Sequence, residues 1–174
     1  IDAITRNPVN HTHNLSLRGG TEKTNYIASI TYRKQDGILL NTGKEALTFK
    51  IGLNHSMMDD KLKIQLNVNN STIKQDVTWY NAYLQACLMN PTRPVYNEDG
   101  SYKEYGTSYK PYNPVALLNE ETDQEKWNQL LASGKITFSP IEGLNLSAMA
   151  AMQRYDSMRD KWNCILYTSP SPRD

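Results

Sequence analysis

The feature that most constrains this chain is a strict two-residue alternation of apolar and polar side chains, repeated in separate stretches. It is cleanest over residues 62–69, where Leu62, Ile64, Leu66 and Val68 alternate with Lys63, Gln65, Asn67 and Asn69. Successive side chains of a strand point to opposite faces, so this pattern demands a strand with one apolar and one polar side. The same pattern marks residues 13–18, 25–33, 46–56, 127–138 and 144–153, with Ile27 as an exception on the polar side. Gly19-Gly20-Thr21-Glu22-Lys23, Met57-Met58-Asp59-Asp60 and Pro140-Ile141-Glu142-Gly143 supply turn chemistry between them.

Alternation alone leaves two architectures open, a soluble sandwich and a membrane barrel. Two features favour the barrel. The strands are about as long as the 9–11 residues needed to cross a bilayer at a tilt. Short connections also alternate with longer ones, residues 34–45 and 75–125, as the short inner turns and long outer loops of a barrel do. The polar positions are rich in Asn, Gln, Ser, Thr and Lys, which suits a wet lumen. The opposite positions are aliphatic in mid-strand, which suits lipid. Tyr26, Tyr32, Trp127 and Tyr155 stand near strand ends, where interfacial aromatics are expected. The expected fold is all-β, a partial antiparallel transmembrane barrel of about six strands with one long outer loop. Within that loop residues 78–89 are expected to form a short helix, ending before Asn90-Pro91.

Composition agrees with this. Tyr is 11 and Phe only 2 of 174 residues, unlike the core of a soluble all-β domain. The near-neutral net charge of +1 argues against a nucleic-acid binder, which would show a basic face. No run reaches the ~18 apolar residues of a membrane helix. The chain begins at Ile1, so its natural N-terminus is expected to lie upstream. The two cysteines, Cys87 and Cys164, have no metal-ligand spacing, and Cys87 is expected to be unpaired.

His13-Asn14-Leu15-Ser16-Leu17-Arg18-Gly19-Gly20 resembles a signature stretch of the SusC/RagA family of TonB-dependent outer-membrane proteins. Asp2, Ile4 and Arg6 resemble its lead-in, and Asn25, Tyr26, Ala28, Ser29 and Tyr32 the strand that follows. Asp36-Gly37-Ile38, the block 90–102, Asn113-Pro114-Val115-Ala116 and Pro140-Ile141-Glu142-Gly143-Leu144 are similar to further family blocks. Arg18 departs from the family's usual Ser. The resemblance implies that residues 1–163 are an early part of a longer barrel whose plug lies upstream. It also implies that the short turns are periplasmic and that 34–45 and 75–125 lie outside the cell. By the same token it implies energy-coupled import of oligosaccharides or peptides at the bacterial outer membrane. The partners so implied are a SusD-like surface lipoprotein, the TonB complex acting through the upstream part, and outer-membrane lipid. The tail, 164–174, resembles a translated sequencing adapter and is expected to be non-native.

No phosphate-binding loop and no nucleophile–base set is present, so neither an enzyme nor a cofactor is expected. His11 and His13 can share a strand face, but two histidines make an incomplete metal site. Asp59 and Asp60 read as a solvated turn. The candidate ligand- or partner-facing residues lie in the long outer loop: Trp79, Tyr80, Tyr83, Arg93, Tyr96, Tyr102, Tyr105 and Tyr109. Flat amphipathic rings stack on sugar faces or pack against a partner. Packing of the loop on itself is the alternative for the rings. A soluble or surface β-sandwich that binds through this loop is the alternative for the chain.

Overall fold

The computed structural model describes residues 1–77, 80–103 and 112–163. Its frame is one six-stranded antiparallel meander, β1 to β6 in sequence order. The strands are β1 Asn10–Gly20, β2 Thr24–Asp36, β3 Gly43–Met57, β4 Leu62–Asp76, β5 Glu121–Ile141 and β6 Leu144–Asn163. Among the described residues no second sheet packs on this one, so the two-sheet sandwich is not what the chain forms. Among the described residues of the long β4–β5 connection lie two helices, α1 Tyr80–Leu88 and α2 Pro114–Glu120. Among the described residues no helix is long and apolar enough to cross a membrane.

Register turns the sequence pattern into two continuous surfaces. Leu17, Ala28, Ile51, Val68, Ala132 and Met152 are partners in one row across all six strands. The row below runs Gly19, Tyr26, Leu53, Leu66, Gly134 and Ala150. Every large apolar side chain in these rows is exposed or half-buried, Ile51 at 56% and Met152 at 56%. An apolar surface this broad, left uncovered across a whole sheet, has the form of a lipid-facing wall. The band reaches lower on β4 to β6, through Leu62, Phe138 and Leu146, than on β1.

The opposite face carries Ser16, Ser29, Lys50, Asn69, Leu131 and Gln153 in one row, and cross-strand bonds such as Asn14 Nδ2 to Thr31 Oγ1 at 2.6 Å and Thr48–Ser71 at 3.1 Å tie it. Ile27, the exception to the alternation, is on this polar face. It sits over Gly52, where an added Cβ would come within 3.0 Å of its Cγ2. Glycine there leaves room for Ile27, one of a few large apolar side chains, with Ile73, Leu131 and Met149, on a mainly hydrophilic wall.

The strands are longer than the alternation indicates. β5 has 21 residues and β6 has 20, about twice what a tilted crossing needs. The excess stands at the end bearing the long loop. There Gln124, Lys126 and Asn128 alternate with Asp123, Glu125 and Trp127, so neither face is apolar and the hydrophobic period fades. Above the band, Asn70, Thr72 and Asn128 replace the aliphatics on the outward side, Asn70 donating to Asn128 at 2.9 Å. Tyr26 and Tyr32 stand on the apolar face at its limits, as expected of interfacial rings. Trp127 and Tyr155 do not. Trp127 pairs with Ile73 and Ser157, and Tyr155 with Gln129, which puts both on the polar face.

Candidate functional site

The buried core of this chain lies at one end of the sheet. Ile4, Ala82, Val115 and Leu118 are all nearly inaccessible, with Leu39, Leu40, Ala86, Val95, Tyr102 and Leu117 packed around them. These residues come from the lead-in to β1, the β2–β3 loop and the β4–β5 connection, all on the same end. The sheet thus supports a compact cap over one rim.

Local chemistry explains how each piece is held. Residues 2–4 form a 3-10 turn, and Thr5 bridges to Leu39. Arg6 then clamps the β2–β3 loop, donating from Nε to Gly37 O at 3.1 Å and from Nη2 to Thr42 O at 2.6 Å, with Asp36 at 3.7 Å. Asn41 adopts a left-handed conformation at φ 57, which asparagine tolerates. Its Nδ2 donates to Leu118 O and Asn119 Oδ1, both at 2.9 Å, tying that loop to α2.

Asn113 is the node of the cap. It is buried at 5% exposure and caps α2, its Oδ1 accepting from the N–H groups of Val115 at 3.1 Å and Ala116 at 3.4 Å. Its Nδ2 donates to Val95 O at 2.8 Å and Lys103 O at 3.1 Å. One amide therefore satisfies a helix start and both sides of the 95–103 hairpin. That hairpin closes with a Tyr96–Tyr102 bridge and turns at Gly100, whose φ of 84 suits glycine. Asp99 accepts from Ser101 Oγ at 2.6 Å and Ser101 N–H at 2.9 Å, and these bonds hold its carboxyl below the usual carboxylate range.

The expected helix is present as α1, ending before Asn90. α2 is not among the sequence expectations: proline breaks most long elements, yet Pro114 occupies the first helical turn behind an Asn cap. Proline is welcome at that position because its missing N–H would have no helical partner. Asn113-Pro114 followed by Val115, Ala116, Leu117 and Leu118 was the readable signal.

Of the expected ligand-facing residues, the structure brings Tyr96 and Tyr102 together, ring centroids 5.4 Å apart. Tyr102 packs on the core while Tyr96 stays 52% exposed. Tyr83 is exposed on α1, and Tyr80 opens that helix. Arg93 lines a groove of about 310 Å³ with Ile1, Cys87, Pro91 and Val95. Trp79, Tyr105 and Tyr109 lie outside the described residues, as does the tail 164–174. Cys87 is free and exposed. His11 and His13 do share a face, ring centroids 5.2 Å apart, with His13 stacked on Tyr32. Among the described residues no group of three or more His, Cys, Asp or Glu side chains is placed to hold a metal.

No family model matches the chain. Among curated proteins it is 35% identical over 132 residues to TonB-dependent receptor P26 of Formosa agariphila, a match covering 74% of the chain and 13% of that receptor. It is 24% identical over 159 residues to TonB-dependent receptor SusC of Bacteroides thetaiotaomicron, covering 79% and 16%. Its fold superposes on the RagAB peptide transporter with a TM-score of 0.74 at 18% identity, covering 92% of the chain and 19% of that structure's. The chain belongs to the SusC/RagA-like TonB-dependent receptors. It spans less than a fifth of the length of these relatives. The sheet is accordingly a sector of a barrel wall, and the relatives are receptors and transporters rather than enzymes.

Proposed function

We propose that this segment is part of the wall and outer rim of an outer-membrane importer that takes up oligosaccharides or peptides in an energy-coupled way. The observation that carries this reading is the pair of registered faces, aliphatic and uncovered on one side and hydrophilic on the other, in a chain of SusC/RagA-like receptors. Such a wall lies between lipid and a wet passage. The end bearing the 95–103 hairpin, α1 and α2 is the extracellular rim in this reading, and a SusD-like lipoprotein docks there. TonB coupling acts through parts of the receptor upstream of Ile1.

The membrane argument is physical. Backbone polar groups in hydrocarbon need partners, and β1 and β6 each leave an open edge in this sector. Neighbouring strands of a larger barrel supply those partners. The test is to express the complete receptor with the neighbouring surface lipoprotein and follow uptake of labelled glycan and peptide libraries, with and without the TonB complex. TonB-dependent accumulation supports the reading. A complete gene lacking a plug, or uptake indifferent to TonB and receptor alike, refutes it.

A further inference from the structure

The inner wall is unevenly charged. Arg18, Arg33, Lys44, Lys50, Lys63 and Lys135 all fall on the polar face by register. The carboxylates of that face, Glu121, Asp123 and Glu125, gather at the outer end of β5. Two of them are taken by Arg159, which donates to Asp123 from Nε at 2.8 Å and Nη2 at 2.7 Å and lies 3.0 Å from Glu125. The ion pairs found among the described residues do not involve Arg33, Lys44 or Lys50.

Those three cations line one concavity of about 350 Å³ together with Thr31, Thr48 and Ser71, and no carboxylate lines it. Lys44 Nζ sits 5.3 Å from the centre of the Trp127 ring. Trp127 in turn lines the adjoining concavity, of about 370 Å³, with Tyr155 and Arg159. Like charges gathered on one face repel one another, and an anion placed among them relieves that repulsion.

Resting on the importer reading above, we propose that this wall selects an acidic oligosaccharide. Carboxylates of the sugar meet Arg33 and Lys50, its hydroxyls meet Thr31, Thr48 and Ser71, and a ring face stacks on Trp127. An acidic peptide fits less well. Peptides are commonly read through their backbone by an open strand edge, and β2 to β4, which carry Arg33, Lys44, Lys50 and Ser71, are paired on both sides. The wall presents side chains alone, which suits a ligand rich in hydroxyls and poor in amides.

The test uses the complete receptor with its lipoprotein. Calorimetry compares an oligogalacturonate, its carboxyl-reduced neutral counterpart and a glutamate-rich peptide of similar length. The acidic glycan should bind about tenfold more tightly than the neutral one, and added salt should weaken it. The double variant Arg33→Gln/Lys50→Gln should abolish that preference and leave neutral binding intact, which also shows that the variant is folded. Trp127→Ala should weaken both glycans. Equal binding of the two glycans overturns the proposal, as does tighter binding of the peptide. A double variant that loses thermal stability while keeping the preference also overturns it, because the cations then face another part of the receptor. Each of these results leaves the importer reading standing so long as TonB-dependent uptake of some ligand persists. Loss of all such uptake in the unaltered receptor overturns both.

Discussion

Leu66 and Asn67 are neighbours in β4 whose side chains point to opposite faces, and an arginine at each should have very different effects. Leu66 lies mid-band, between Leu53 on β3 and Gly134 on β5, and is 45% exposed. A substitution at so open a site on a soluble surface usually changes stability by less than about 0.5 kcal/mol. At the midplane of a lipid-facing strand an arginine costs about 2–4 kcal/mol. Since about 1.4 kcal/mol is a factor of ten, Leu66→Arg should shift the folding equilibrium in bilayers by roughly 30- to 1,000-fold. Asn67 is exposed and points to the polar face between two small neighbours, Gly52 and Ser133. Asn67→Arg should therefore cost under about 1 kcal/mol, as other exposed polar changes do. The assay is folding of the complete receptor into lipid vesicles across a denaturant series, scored by resistance to unfolding in detergent gels. Equal costs for the two variants, or a silent Leu66→Arg, would refute the assignment of faces.

The cap and the isolated sheet give further expectations. Asn113→Ala removes a helix cap and leaves the Val95 and Lys103 carbonyls without their donor, so the cap should loosen by about 2–3 kcal/mol. Hydrogen exchange should quicken over 95–103 and 113–120 but not in β2 to β4, and unchanged exchange in the cap would contradict this. Arg6→Ala should free the 37–42 loop, visible as faster exchange at Leu40 and Thr42, with strand amides unaffected. The Asp99 carboxyl is held low by Ser101, so its contribution to the hairpin is present above the ordinary aspartate range and is lost as pH falls through the depressed value. Following the Ser101 amide by NMR checks this, and an Asp99 that titrates at or above the ordinary range would rule it out. The isolated chain should aggregate in buffer without detergent, because its apolar face and the β1 and β6 edges are open. A soluble, cooperatively unfolding monomer would be the opposite result.

How much of this was legible in the sequence follows from where each residue's environment is decided. Within the bilayer one face must be apolar, so Leu47 to Leu53 and Leu62 to Val68 announce β3 and β4 directly. Above it both faces are wet, so β5 carries no apolar period from Glu121 to Gln129, and residues up to Glu125 read as loop. Trp127 and Tyr155 read as interfacial because they stand near strand ends. Their parity, which decides the face, was in the sequence all along. α2 was hidden because proline both breaks helices and begins them, and only the Asn113 cap distinguishes the cases. The assembly of the cap was not readable at all, since Ile4, Ala82 and Val115 meet across long stretches of chain. Of the aromatic loop residues, Tyr96 and Tyr102 do pair, whereas the inner-wall lysines read only as polar positions of a wet face, scattered singly through strands that bring them together only by register.

The central claim is that alternate residues of this sheet face lipid and water. Its most direct measurement is a spin-label scan of residues 62–69 in the complete receptor, reconstituted in bilayers. Labels at positions 62, 64, 66 and 68 should be relaxed by oxygen dissolved in the membrane, and those at 63, 65, 67 and 69 by a water-soluble nickel chelate. A scan with no two-residue period, or with every position open to the chelate, would contradict the account.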